Sequence, residues 1–253
     1  MAGQFYPEDR KKLGEMIGGF LAKVESPRIE GDVFGLLLPH AGYAFSGPVA
    51  ACGYKAIVGQ KFNTVIVIGD SHCERFDGVS FWPEGSWQTP LGNVEIDAEL
   101  AEKIMAGSRR FFRKDSTHLF EHSVEVQLPF LQKTLKGFKI LPIVFGSEDE
   151  DWETLAEVIS KNINQRTLII ASADLSHYLP YEQAEEIDKK TLINIINFQN
   201  QNLEVCASDS TKTLIEISRK LGGKAELLKY ANSGDTAGNK SRVVGYGAIA
   251  FYR

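Results

Sequence analysis

The chain is poor in cysteine, with Cys52, Cys73 and Cys206 the only three among 253 residues. An odd number without metal-type spacing excludes a disulfide framework and reads as ordinary reduced thiols of a cytoplasmic protein. A basic surplus is also missing. Asp and Glu total 33 against 28 Lys and Arg, for a net charge of −5, so there is no electrostatic footprint for nucleic acid. The one basic run, Arg109-Arg110-Phe111-Phe112-Arg113-Lys114, is short and reads as a solvated helix end. No apolar stretch reaches the length needed to span a bilayer. The opening Met1-Ala-Gly-Gln-Phe-Tyr-Pro7 has neither the basic nor the apolar region of a secretory signal. Repeats and linkers rich in Pro, Gly or Ser are absent too, so one soluble, cytoplasmic domain over residues 1–253 is expected.

What is present is an alternation of short apolar runs and amphipathic stretches. Phe34–Pro39, Thr64–Ile68, Ile140–Phe145 and Thr167–Ala171 are almost wholly apolar, the pattern of strands buried on both faces of a parallel sheet. Between them, Pro7–Val24 places Leu13, Ile17, Phe20, Leu21 and Val24 at helical spacing. Asp97 reads as an N-cap. Val124, Leu128, Leu131 and Leu135 form a stripe in which Pro129 is expected to kink or shift the helix. Trp152, Leu155, Ala156 and Ile159 make another apolar face, and Ser210–Leu221 reads as a serine-capped helix stopped by Gly222-Gly223. Arg242–Tyr252 reads as a final strand. The alternation predicts a three-layer α/β/α sandwich around a mostly parallel sheet.

Three of the five histidines follow apolar runs directly: His40 in Pro39-His-Ala-Gly-Tyr43, His72 in Gly69-Asp-Ser-His72, and His177 in Ser172-Ala-Asp-Leu-Ser-His177. Ligands of open α/β sheets bind just beyond the carboxyl ends of strands, so three junctions each offer an imidazole to one pocket. Any one of them alone reads as a capping or surface histidine; the pocket reading rests on the three together. Imidazole suits iron, zinc and copper, and two histidines with a carboxylate leave coordination positions open. Asp70, Asp174 and Asp235 are the nearby carboxylates, and each also reads as a turn former. Asp174, three residues before His177, is placed to fix a histidine tautomer.

His118-Leu-Phe-Glu121-His122 matches the inverted zinc-protease pattern, with both imidazoles on one face if the segment is helical. The alternative places His122 and Glu125 at the start of a helix, with His122 a candidate for proton transfer. Gly42–Pro48 leads into a helix expected to begin near Pro48, and Ser233–Gly238 is a polar turn; neither is a nucleotide-binding fingerprint. Tyr43, Phe45, Trp82, Trp87 and Tyr178 lie near the pocket loops as candidate walls, although core packing is the commoner fate of aromatics.

The sequence resembles the Memo family. The likeness rests on Ala2-Gly-Gln-Phe-Tyr-Pro7, Pro39-His-Ala-Gly-Tyr-Ala-Phe-Ser-Gly47, Thr89-Pro-Leu-Gly92, Glu121-His-Ser-Val-Glu-Val-Gln-Leu-Pro129, Ser172-Ala-Asp-Leu-Ser-His177, Ser233-Gly-Asp235 and Gly245-Tyr-Gly-Ala248. The resemblance implies a fold shared with class III extradiol dioxygenases, in which two histidines and a carboxylate hold Fe(II) and another histidine serves as acid or base. On matching positions, His40 and His72 become metal ligands and His177 the acid/base group, with Asp174 beside it. Animal members carry a cysteine near the segment equivalent to Ser233–Thr236; none stands there in this sequence, so Asp235 substitutes as third ligand and copper or zinc stay alternatives to Fe(II). The resemblance also implies a radical-SAM pathway protein as a partner. The competing expectation is a non-catalytic pocket for a small molecule, a peptide, a phosphorylated group or a partner protein, because fold kinship does not confer activity. Oligomeric state is not legible.

Overall fold

The computed structural model describes residues 1–146 and 151–253. In chain order its strands are β1 (Val33–Leu38), β2 (Thr64–Asp70), β3 (Val79–Phe81), β4 (Ser86–Thr89), β5 (Gly92–Glu95), β6 (Phe111–Arg113), β7 (Lys139–Phe145), β8 (Thr167–Ser172), β9 (His177–Leu179), β10 (Lys224–Asn232) and β11 (Val243–Tyr252). The helices are α1 (Arg10–Ala22), α2 (Tyr43–Ala56), α3 (Ala98–Met105), α4 (Ser116–Leu119), α5 (Leu128–Thr134), α6 (Asp151–Asn162), α7 (Tyr181–Ile196), α8 (Ser208–Lys220) and α9 (Ser233–Ala237). The main sheet has the order β10-β11-β1-β8-β2-β7-β3-β6, with β9 pairing on β11 and β4-β5 forming a separate hairpin.

The four strands β1, β8, β2 and β7 are mutually parallel, and antiparallel pairs flank them at β11 and β3. This central block is the four apolar runs of the sequence. Its side chains alternate between two cores: Val65 and Val67 face α1, α2 and α5, while Ile66 and Ile68 face α3, α6, α7 and α8. Both faces being covered is why these strands read as unbroken apolar runs and not as alternating ones. The result is the expected three-layer sandwich.

Local chemistry accounts for four departures from the sequence reading. Pro48 does not start α2 but lies inside it, with the helix beginning at Tyr43. The proline's missing N–H leaves only the Ala44 carbonyl without its helical donor, and both residues are exposed, so water can satisfy it. Pro129 does not kink a helix either; it occupies the first turn of α5, after a 3-10 turn at Glu125–Gln127, where a proline costs nothing. The helix expected from Ser210 begins at Ser208. Its cap comes from outside the helix, because the Asp70 carboxylate accepts from Asp209 N (3.0 Å) and Ser210 N (3.1 Å). Finally, the basic run is no helix end: Phe111–Arg113 is an edge strand on β3. Arg113 pairs with Glu84 and Asp115 and Lys114 with Glu74, a charged edge of the kind that resists further strand pairing.

Candidate metal centre

Because β1, β8 and β2 are adjacent and parallel, their carboxyl ends open on the same side of the sheet. His40 and His72 leave the ends of β1 and β2, and His177 begins β9 shortly after β8. The segment after α4 crosses this edge and brings Glu121 and His122 into it. Gly69 permits that approach: a Cβ there would sit 2.2 Å from Ser123 Oγ.

His40, His72 and His122 each offer a ring nitrogen within 4.8 Å of the others. Their ring centroids are 5.0 Å (His40 to His72), 5.0 Å (His40 to His122) and 4.6 Å (His72 to His122) apart. The other nitrogen of each ring is occupied. His40 Nδ1 faces the Ser172 carbonyl at 3.1 Å, and the Nδ1 atoms of His72 and His122 face Glu121 Oε1 at 3.0 and 3.3 Å. Donation from Nδ1 of His40 and His72 leaves the lone pair on Nε2 of those two rings, the arrangement by which outer partners orient metal-ligating histidines, while His122 Nδ1 stands against the same carboxylate as a charge contact.

Glu121 is the centre of this support. It is buried, and besides the His72 imidazole it accepts from His72 N (2.6 Å) and Ser123 N (2.9 Å), with His122 Nδ1 3.3 Å away. Burial alone would raise its pKa, but the hydrogen bonds and charge of His72 win and hold it down to about 2. Burial pulls His122 down to about 4 and His40 well below its usual value, reinforced for His40 by the two neighbouring imidazoles. Both rings are therefore neutral at pH 7, the form a metal requires. For His72 burial acts in the same sense, yet the hydrogen bond and charge of Glu121 outweigh it and the pKa is raised. The donor set thus fits an imidazole-binding transition metal.

A buried polar network fixes His40 in turn. Ser172 Oγ donates to Ser123 O (2.6 Å), and Gln127 Nε2 donates to Ser172 Oγ (2.7 Å) and Pro39 O (3.1 Å). The Tyr54 hydroxyl donates to Gln127 Oε1 at 2.7 Å. On the far side of the ring, Cys206 Sγ lies 3.2 Å from His40 Nε2 and accepts from Asp174 N. Burial pushes that thiol up, so its S–H sits on the His40 lone pair.

The remaining expected site residues fall in different places. Asp174 does not orient His177; its carboxylate accepts from His40 N (2.8 Å), and burial pushes it up to about 7. His177 Nδ1 is held instead by the Leu175 carbonyl at 2.9 Å, and burial lowers its pKa. His177 is carried by the β9–β11 pairing and precedes Tyr178, whose φ of 61° is a strained value for a non-glycine residue. Asp70 caps α8 as described, and burial raises it to about 7. Asp235 is not grouped with His40 and His72. Its oxygens accept from Asn232 N (2.9 Å), closing a capping box at α9, and from the Tyr181 hydroxyl (2.7 Å).

The His118-x-x-Glu121-His122 pattern does not form a shared helical face, because α4 ends at Leu119. His118 turns away to Ser80 Oγ (3.0 Å), and Glu121 serves His72 and His122. Sequence reasoning missed Glu121 as the orienting carboxylate, His122 as the third clustered imidazole and Cys206 beside His40. The signal for the first two was their adjacency; for Cys206, in a loop before α8, there was none.

Comparison with known proteins identifies the family. The family model described as Memo-like protein matches residues 1–250. A "MEMO1 family protein" of Methanosarcina mazei is 40% identical over 98% of this chain and 96% of its own length. That of Desulfurococcus amylolyticus is 37% identical over 100% and 97%, and one from Saccharolobus islandicus is 36% identical over 99% and 97%. The chain belongs to the Memo family.

Proposed function

We propose that His40, His72 and His122 hold a transition-metal ion, Fe(II) foremost with copper and zinc as alternatives, and that the site performs dioxygenase-like oxidoreductase chemistry on a small molecule. The observation that carries this reading is the convergence of the three rings, with a ring nitrogen of each within 4.8 Å of the others, and the tethering of His40 and His72 through Nδ1 to a carbonyl and a carboxylate, which leaves their Nε2 lone pairs. A bound ion would supply a Lewis-acidic centre with positions open to substrate. Binding it requires the Cys206 S–H to give up the His40 lone pair.

His177 is the proton acceptor in this scheme. Its Nδ1 donates to the Leu175 carbonyl, so Nε2 is the basic atom, and its lowered pKa keeps it unprotonated at neutral pH. Asp174 positions the His40 backbone and takes no proton from substrate. Anaerobic loading with Fe(II), followed by oxygen and a panel of catechols, tests the reading. Ring-cleaved product that disappears in His177→Ala is expected. No turnover of any catechol with metal bound would count against this chemistry.

A second reading, a pocket that binds a peptide or partner protein without reaction, draws on the apolar residues beside the site. Leu119 (59% exposed), Phe120 (72%) and Tyr178 (61%) flank Glu121 and His177. Retention of a partner by wild type and its loss in Phe120→Ser, without turnover, would favour it.

A further inference from the structure

Four residues before His122, His118 stands in quite different surroundings. It packs edge-to-face with Trp82 (centroids 5.9 Å apart, 80° between planes) and with Trp87 (5.9 Å, 75°). The two indoles meet each other at 5.8 Å and 84°. Three rings standing nearly perpendicular to one another thus line a cavity of about 210 Å³, completed by Ser86, Gln88, Leu119 and Glu125. That volume is below the roughly 300–1,000 Å³ of pockets for whole drug-sized ligands, so the cavity suits a headgroup.

The lining has the chemistry of a cation receptor. Aromatic faces are negative, and a cation within about 6 Å of a centroid is attracted to the ring. Ring spacings under 6 Å let one cation reach more than one of these faces. Glu125 adds a carboxylate, of which Oε1 is engaged by the Tyr6 hydroxyl (2.5 Å) and the Met1 amino group (3.1 Å). Oε2 has no hydrogen bond among the described residues.

His118 does not oppose a cation. It is 4% exposed, and burial lowers its pKa to about 4, so the ring is neutral at pH 7. Its Nε2 is engaged with Ser80 Oγ, while the buried Nδ1 has no partner among the described residues. Elsewhere the protein covers aromatic rings with its own cations: Lys114 over Phe76, Lys240 over Tyr181 and Arg242 over Tyr178. Among the described residues none lies over Trp82 or Trp87.

We propose that Trp82, Trp87, His118 and Glu125 form a binding site for an alkylated ammonium group, of the trimethylammonium or methyl-lysine type. An unsubstituted ammonium is strongly hydrated, and the aromatic faces accept no conventional hydrogen bond to replace that water. Methyl groups on the nitrogen remove the hydration and match the aromatic faces. The inference stands apart from the metal reading, since none of its residues is among the three clustered imidazoles.

Choline chloride titrated into the full chain, followed by indole N–H signals in NMR spectra, tests it. The three tryptophans provide an internal control, because Trp152 lies on α6, outside this cavity. Saturable shifts of Trp82 and Trp87 are expected, with Trp152 unmoved. The uncharged isostere 3,3-dimethylbutanol should bind about tenfold more weakly, and Trp87→Leu, which keeps apolar bulk but removes the ring, should weaken choline by a similar factor. Glu125→Gln, with the fold intact, should weaken it less. A short peptide bearing trimethyl-lysine separates the sources: tighter binding than choline assigns the site to a polypeptide side chain, weaker binding to a free metabolite. Equal binding of the neutral isostere, unaltered affinity in Trp87→Leu, or no saturable shift of Trp82 and Trp87 at millimolar choline would overturn the proposal.

Discussion

His118 and His122 are four residues apart in one short segment, yet they serve two unlike regions. His122 shares a buried carboxylate with His72 and stands 5.0 Å from His40, ring to ring. His118 is held by a serine hydroxyl and walled by two indoles. What separates them is the end of α4 at Leu119, which turns one ring toward the strand ends and the other under the β4–β5 hairpin. The contrast teaches that an imidazole's chemistry is set by what occupies its second nitrogen. A carboxylate or carbonyl on Nδ1 makes a ligand of Nε2, whereas hydroxyl contact and burial make a neutral aromatic wall.

The largest expected effect that sharpens this contrast is on stability. His118 has a folded pKa of about 4 against an ordinary value near 6.5, so the unfolded chain takes up the proton first. Wild type should therefore lose stability relative to His118→Phe as pH falls from about 6.5 to 4, by on the order of 3 kcal/mol, and show no such trend above that window. Denaturant midpoints for both proteins across pH measure it; a flat difference would mean His118 is not buried as a neutral ring.

Next in size is Glu121→Gln, which keeps the shape but removes the charge that His72 and His122 share. Metal affinity should fall about 10–100-fold. Choline binding at the indoles should be unaltered, and a parallel loss at both places would break the distinction between the two regions. Smallest is Asp235→Ala, which removes the capping box of α9 and the Tyr181 contact. About 1 kcal/mol of stability should be lost, with metal content unchanged. Loss of metal would restore Asp235 as a ligand.

The sheet was the most legible feature, because strands covered on both faces leave runs such as Thr64–Ile68 and Thr167–Ala171, too short and too uniformly apolar for a surface helix or a loop. Its edges were not: Phe111–Arg113 is a strand only because β3 lies beside it, and its own charges argue otherwise. The same division holds at the site. His40, His72 and His177 could be placed because each follows a strand, and the topology sets β1, β8 and β2 side by side. The partners could not, since Glu121 meets His72 across 49 residues and Cys206 meets His40 across 166. Asp235 reads as a ligand from the sequence, whereas in the structure its carboxylate accepts from Asn232 N and Tyr181, contacts that only the fold discloses.

The most direct test of the central claim is metal content by elemental analysis after anaerobic loading, in wild type and in His40→Ala, His72→Ala and His122→Ala, each confirmed as folded. Near-stoichiometric iron, copper or zinc in wild type, lost in all three variants, is the expected result. Metal retained by His122→Ala, or no specific metal in wild type, would contradict the three-imidazole centre.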